Sequence, residues 1–313
     1  MPDIVIAFFA LGLFAGLLKS DLQVPKSIYE TLSMLLMLVL GLKGGLALHQ
    51  AIATGQTEGI ATSLLLVAAL GVLLPVLCFP LLRHVVKLSV DNAASIAAHY
   101  GSVSAGTFAV ALAMAEKNGL SLAAETTLYL VMLELPAIVI MLWWHKKLTG
   151  QGTNSNILRE ALTARGVLLL GSGVLIGVAY GPVGLEPIAP ALIGGFKTML
   201  ALFLLEMGLC TAKVCWPLPI QHWRLVAFAA VAPFILAWAG LSVGIYLELP
   251  QGSTFVLAAL TASASYIAAP AAVRAAIPQA DIGLATLASL GVTFPVNVLI
   301  GLNLYGTWVG WFY

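Results

Sequence analysis

Charge is what this sequence has least of. Of its 313 residues, 14 are Lys or Arg and 13 are Asp or Glu, or 9% of the chain. A soluble domain carries about 25%, so the shortage excludes a surface bathed in water on every side. The net charge of +1 says nothing for nucleic acid, which is not an expected partner. Cysteine is scarce as well. Cys78, Cys210 and Cys215 are odd in number and lie in apolar stretches, which reads as buried thiols and not as a disulfide framework. The N-terminal Met-Pro-Asp has no basic segment before the first apolar run, so that run is expected to be a mature span and not a cleaved signal peptide. Catalytic motifs are missing too. There is no phosphate-binding P-loop, no His-x-x-Glu-His or paired-Cys set, and no Gly-x-Ser-x-Gly within Gly101–Gly106, which removes the usual nucleotide-driven and hydrolytic chemistries.

What fills the chain instead is apolar sequence, 61% of it hydrophobic. Runs of about 20 apolar residues span a bilayer. Ten such runs are expected, at 3–18, 27–48, 59–82, 92–115, 122–145, 165–181, 188–213, 222–247, 252–275 and 281–312. Short polar breaks separate them. Only 149–164, rich in Gly, Asn and Ser, reads as a linker, and it divides the chain into a first five-helix half, 1–148, and a second, 165–313. The loop cations Lys19, Lys26, Arg83, Lys87, Lys146, Lys147, Arg159, Arg165, Lys213, Arg224 and Arg274 fall on one face. Lys117 falls on the other, with Glu58, Glu116, Glu125, Glu186 and Glu248. The positive-inside rule places the basic face in the cytoplasm and both termini outside.

Five spans on each side of a cytoplasmic linker give the halves opposite orientations. Three stretches match between them in order. "LVLGLKGGLAL" (38–48) pairs with "LFLLEMGLCTA" (202–212), and "MLELPAIVIMLWW" (132–144) pairs with "GVTFPVNVLIGLN" (291–303), with Pro136 and Pro295 in register. "HYGSVSAGTFAVALA" (99–113) pairs with "LTASASYIAAPAAVRAA" (260–276), through Ser102/Ser104 and Ser263/Ser265. An inverted repeat is the expected architecture, with substrate held near the midplane at broken helices. The breaks are expected near Gly101–Thr107 in span 4 and Ser263–Pro270 in span 9, where Gly and Pro permit them. Two crossing broken helices would aim half-helix N-termini at one spot, an anion site that needs no basic side chain. Gly101, Ser102, Ser104, Ala105, Gly106, Thr107, Ser263, Ser265 and Tyr266 are the candidate substrate-binding residues. The same small residues would also serve close helix packing alone.

Ionisable groups inside spans are expensive and functional by default. Glu134 precedes the helix-breaking Pro136, and with Ser104 and Ser265 it forms the candidate cation site; the competing reading is a protonated Glu bonded to a neighbouring helix. Lys43 and Glu206, at the matched ends of spans 2 and 7, are expected to pair with each other. His99 is expected to bond locally, and Arg274 either attracts the anion or anchors its helix. Trp143, Trp144, Trp308, Trp311 and Tyr313 read as interfacial anchors.

"GSVSAGTFAVALA" with "LELPAIV", together with "SASYIAAPAAVRAAIPQA" and "LGLKGGLAL", resembles the sodium-dependent bicarbonate transporter family over nearly the whole chain. The resemblance implies ten spans in two inverted repeats with core and gate domains. It also implies sodium-coupled uptake of bicarbonate by an elevator-like movement, a homotrimer in the bacterial inner membrane among its lipids, and a cytoplasmic PII-like regulator. No cofactor is implied beyond sodium as coupling ion. The chain departs from the family in its short linker, in Tyr266 where the family has an acid after the Ser run, and in Glu134 where it has Asp. The expected fold is thus an all-α membrane protein and the expected function secondary active transport, not enzymatic. The alternatives are a proton- or sodium-coupled transporter of a small organic carboxylate and, in a different class, a membrane-embedded enzyme or sensor with His99 and Ser102 as its only local pair.

Overall fold

The computed structural model describes residues 4–150, 163, 165–215 and 220–313. The interior of the linker expected over 149–164 lies outside the described residues, as does Arg159. Among the described residues the chain is helical without strands. Eight stretches are long and apolar enough to cross a membrane: Lys26–Thr54, Ile60–Val85, Val90–Lys117, Thr126–Thr149, Arg165–Leu185, Ala189–Cys215, Ile220–Tyr246 and Ile282–Val309. The first expected span is the shorter apolar helix α1, Ile4–Leu17. The ninth is divided into two short helices.

The helices that follow α1 are α2 (Lys26–Thr54), α3 (Ile60–Pro80), α4 (Val90–Gly101), α5 (Ala105–Lys117), α6 (Tyr129–Thr149) and α7 (Arg165–Leu185). Then come α8 (Phe196–Cys215), α9 (Trp223–Tyr246), α10 (Gln251–Thr261), α11 (Ala268–Ala276) and α12, which runs from Ile282 to Val309 through two π-helical stretches, Leu287–Thr293 and Asn297–Gly301. Helix ends follow local chemistry. Ser89 caps α4 by accepting from the Asn92 N–H, and Asp281 caps α12 by accepting from Gly283 and Leu284. Gly55, at φ 71°, ends α2 in the left-handed conformation that glycine adopts without steric cost.

Two close crossings organise one side of the bundle. In α2, Gly41 and Gly45 meet Gly173 and Gly177 of α7; a Cβ on Gly45 would lie 2.7 Å from the Gly177 Cα. In the other crossing, Gly12 and Gly16 of α1 meet α8 at Leu205, Gly208 and Ala212. Small residues four apart let backbones touch where lipid gives no hydrophobic drive to associate. On the other side α3 packs on α6 and α4, and α9 on α10 and α12. His145 of α6 bonds Asp91 of α4 at 2.7 Å.

Prolines inside helices leave the carbonyl four residues back without a partner. Pro182 frees Val178, whose oxygen lies 2.8 Å from His49 Nδ1. Pro233 frees Ala229, which accepts from Thr293 Oγ1 at 2.8 Å. Pro295 frees Gly291, which accepts from Cys215 Sγ at 2.9 Å. Each of these three freed groups is met by a side chain from another helix. Cys210 and Cys215 are free thiols, as is the buried Cys78.

The glycine crossings make a direct prediction. Gly45→Leu should destabilise the purified protein by about 1–3 kcal/mol or more, the cost of overpacking. Gly171→Leu, on α7 but with open space where its Cβ would sit, should be tolerated. Thermal melts of both variants decide this; equal melting temperatures would show that the α2–α7 contact is not tight.

Candidate functional site

The helix that begins at Val90 stops at Gly101, leaves helical geometry over Ser102–Ser104, and restarts at Ala105. Val103 sits at φ 45°, a conformation that a β-branched residue rarely adopts and that costs about 1–3 kcal/mol. Ser104 caps α5, its Oγ accepting from the Thr107 N–H at 3.1 Å. The second break is similar. α10 ends at Thr261, residues 262–267 are non-helical, and α11 begins at Ala268 with Ser265 Oγ accepting from the Ala269 N–H at 3.2 Å. Pro270 therefore lies in the first turn of α11 and not in the break itself. A first-turn proline loses no helical bond.

The breaks are joined to each other. The Ser104 N–H donates to Ser263 Oγ at 2.7 Å, and the Ser263 hydroxyl donates to the Leu260 carbonyl at 2.7 Å. The Ser265 N–H donates to the His99 carbonyl at 2.7 Å. Asn297 Nδ2 donates to the Ala262 carbonyl at 2.8 Å, and Tyr305 holds the Asn297 oxygen at 2.7 Å. Both α5 and α11 turn their N-termini toward this junction, so the uncompensated N–H groups of their first turns and their positive dipole ends converge there.

Beside the junction lies a cavity of about 10 Å³ with Val103, Ser104, Ala105, Glu134, Ser265 and Tyr266 in its wall. That is room for one water-sized particle. Glu134 is 3% exposed, and its Oε2 has no hydrogen-bond partner among the described residues. An unpartnered carboxylate oxygen facing hydroxyls in so small a space suits a hard cation. The Met132 carbonyl that Pro136 frees lies against Gly71 of α3, about 3.1 Å from where a Cβ would be.

A second, wider cavity of about 490 Å³ meets the first across a shared wall of Met37, Tyr266, Ile267 and Ala268. It is lined by Lys26, Arg165 and Arg274 against the single acid Glu30, so its charge favours anions. Arg274 thus lies on this vestibule.

The structure distributes the other predicted residues. Ser102 and Thr107 are fully buried, and their hydroxyls have no partner among the described residues. Gly106 lines a neighbouring cavity with Ala105, and the Tyr266 hydroxyl occupies the place of its missing side chain, 2.2 Å from an ideal Cβ. Gly101 packs on Pro75 and Ala137, away from the cavity wall. The expected Lys43–Glu206 pair does not form. Lys43 bridges to Glu116 at the end of α5 and lies over the Phe196 ring, because its place on α2 faces the α5 terminus. Glu206 accepts from Cys210 Sγ at 3.2 Å, one turn along its own helix. His99 bonds the Ser95 carbonyl at 2.7 Å through Nδ1. Trp143 and Trp311 are exposed, whereas Trp308 stacks on Trp238 and Trp144 packs on Phe79.

Sequence reasoning missed Asn297 and Tyr305, which hold the second break from α12, and Thr293, which joins α12 to Tyr100 of α4 and to the Ala229 carbonyl of α9. The available signal was three polar residues in one apolar span at spacings of four and eight. The glycine pairs four apart in α1, α2 and α7 were visible as well.

Helices that break inside an apolar bundle, with paired N-termini and a buried carboxylate at the junction, are the build of a membrane transporter. A family model described as the Na+-dependent bicarbonate transporter superfamily matches residues 4–310, and the chain belongs to that superfamily. The search among curated proteins found no match. The chain is an integral membrane protein of a transporter family whose description implies sodium as coupling ion.

The packing of Tyr266 on Gly106 gives a second prediction. Gly106→Ala should destabilise by about 1–3 kcal/mol through overpacking, and adding Tyr266→Phe, which removes the clashing hydroxyl, should restore part of the loss. Independent addition of the two effects in a double-mutant cycle would show that they do not touch.

Proposed function

We propose that this chain is a secondary transporter that couples sodium to the uptake of bicarbonate, with the cation in the small cavity at Glu134 and the anion at the junction of the two breaks. The observation that carries this reading is the shared wall Tyr266–Ala268. On one side is a cation-sized space with a single unpartnered carboxylate, and on the other a basic vestibule that reaches the first turn of α11. Bicarbonate needs little beyond N–H groups and hydroxyls. Ser102, Ser104, Thr107 and Ser265, with the backbone of Ala105, Gly106 and Tyr266, supply that chemistry in one region.

Ten crossings in two inverted five-helix repeats, 1–148 and 165–313, fit the elements described. α1 and the broken pair α10–α11 then complete the eight longer spans. The α2–α7 and α1–α8 glycine crossings are the same contact under the repeat, and the two breaks carry matching serine caps. The helices α1, α2, α7 and α8 then form a gate and the remainder a core that carries the site in an elevator-like movement. The Lys43–Glu116 bridge spans gate and core on the acidic face while the vestibule opens on the basic one, the arrangement of an inward-facing state. The basic face is cytoplasmic, both termini lie outside, the membrane is the bacterial inner membrane, and the assembly is a homotrimer.

Uptake of labelled bicarbonate into proteoliposomes, with and without a sodium gradient, tests the reading. Sodium should tighten bicarbonate binding by the same factor as the reverse, because coupling is reciprocal. Glu134→Gln should abolish sodium dependence while the protein still folds. Ser265→Ala should weaken bicarbonate binding by about one to two decades, the loss of a hydrogen bond to a charge. Sodium dependence unchanged in Glu134→Gln would remove the cation from this cavity, and uptake of small organic carboxylates in preference to bicarbonate would reassign the substrate.

A further inference from the structure

Where α3 passes into its π-helical turn, Leu81–Val85, and meets the start of α9, the surface holds an open groove of about 420 Å³. Its walls are Leu81, Val85, Val86, Ala227, Phe228 and Trp223. Two cations, Lys87 and Arg224, also line it. Leu81, Val85 and Trp223 are 49%, 65% and 62% exposed, so the groove faces outward from the bundle.

Both walls are ends of stretches long and apolar enough to cross a membrane, Ile60–Val85 and Ile220–Tyr246. The groove therefore begins in hydrocarbon and finishes at headgroup depth. The turn that presents Lys87 is built firmly. Arg83 Nη1 donates to the Leu88 carbonyl at 2.6 Å, the Leu88 N–H donates to the Leu82 carbonyl at 3.1 Å, and Lys87 itself is held at φ 66°, a left-handed conformation that a lysine rarely adopts. Arg224 lies against the Trp223 ring, 5.5 Å from its centre, which fixes the guanidinium beside the groove. Among the described residues no acid lines this groove.

An apolar slot in the bilayer that ends in two fixed cations asks for one molecule with a hydrocarbon chain and an anionic head. We infer that this groove is a binding site for an anionic phospholipid, its phosphate between Lys87 and Arg224 and an acyl chain along Leu81, Val85 and Phe228. A zwitterionic lipid satisfies the slot but not the charge. Free phosphate satisfies the charge but not the slot. The inference needs only that the chain is embedded in a membrane, and stands apart from the identity of the transported solute.

The full-length protein in nanodiscs tests it through tryptophan fluorescence, with Trp223→Phe isolating the reporting residue. Brominated phosphatidylglycerol and brominated phosphatidylcholine are titrated separately into an unbrominated phosphatidylcholine background. Phosphatidylglycerol should quench the Trp223 component at a mole fraction at least tenfold lower than phosphatidylcholine. Lys87→Gln and Arg224→Gln should each reduce that preference about fivefold, since each cation near an anionic headgroup contributes about that factor. Equal quenching by the two lipids in the unaltered protein overturns the inference, and this comparison requires no variant to fold. Displacement of brominated phosphatidylglycerol by millimolar inorganic phosphate also overturns it, because the site then recognises a soluble anion. Loss of sodium-coupled uptake in Glu134→Gln, with the lipid preference intact, separates this site from the transport site.

Discussion

In hydrocarbon no water stands ready to satisfy a peptide group that loses its helical partner, and each such group left bare costs several kcal/mol. This constraint explains more of the structure than any single contact. The chain breaks its helices repeatedly, with prolines in α3, α6, α7, α9 and α12 and two full interruptions. For three of the prolines the freed carbonyl is taken up by His49, Thr293 or Cys215. Those bonds join helices distant in sequence, so the breaks themselves specify which helices are neighbours. A span without a break would gain regularity and lose that information.

The two interruptions obey the same rule with less slack. Ser263 both accepts from Ser104 and donates to Leu260, and the Ser265 N–H reaches the last turn of α4 at His99. Asn297 closes the end of α10 from a π-helical stretch of α12. These bonds hold Val103 in a conformation it would not adopt alone. The junction is therefore a rigid object stapled from both halves of the chain. In the elevator-like movement proposed above, the α1, α2, α7, α8 group slides against the rest, where the Lys43–Glu116 contact is part-exposed and correspondingly easy to exchange for water.

Much of this was legible in the sequence where composition is odd for a span. Ser-x-Ser among glycines and alanines marked both breaks to within a few residues, and Glu134 before Pro136 marked the one acid that lines the small cavity. What stayed hidden depended on packing. Hydrophobic periodicity does not distinguish α from π geometry, so the two π stretches of α12 left no trace. Lys43 had several acids to choose from, and only the rotation of α2 toward the end of α5 selects Glu116. Pro270 was read as the break because proline disfavours helix before it; the chain instead places it where a helix has no bond to lose. The pairing of the glycines of α1, α2 and α7 was not read at all, because it needs a partner helix 130 or more residues away.

The charge at the junction sets the order of events. Two helix N-termini offer partial positive charge, but the C-terminal ends of α4 and α10 arrive at the same junction with the opposite sign. The dipoles therefore cannot by themselves attract an anion strongly, and Glu134, when ionised, would repel one. In the proposed site a cation beside Glu134 would reverse that balance, neutralising the carboxylate and leaving the first turns of α5 and α11 as the dominant field. Tyr266 sharpens the effect. Its hydroxyl fills the hollow over Gly106 without adding a second negative charge, so in the proposed site one monovalent cation would balance the acid that faces the cavity. In the proposed site anion binding would be conditional on the cation by electrostatics alone, before any movement of the helices, and the thin wall from Tyr266 to Ala268 is where the two ions would feel each other.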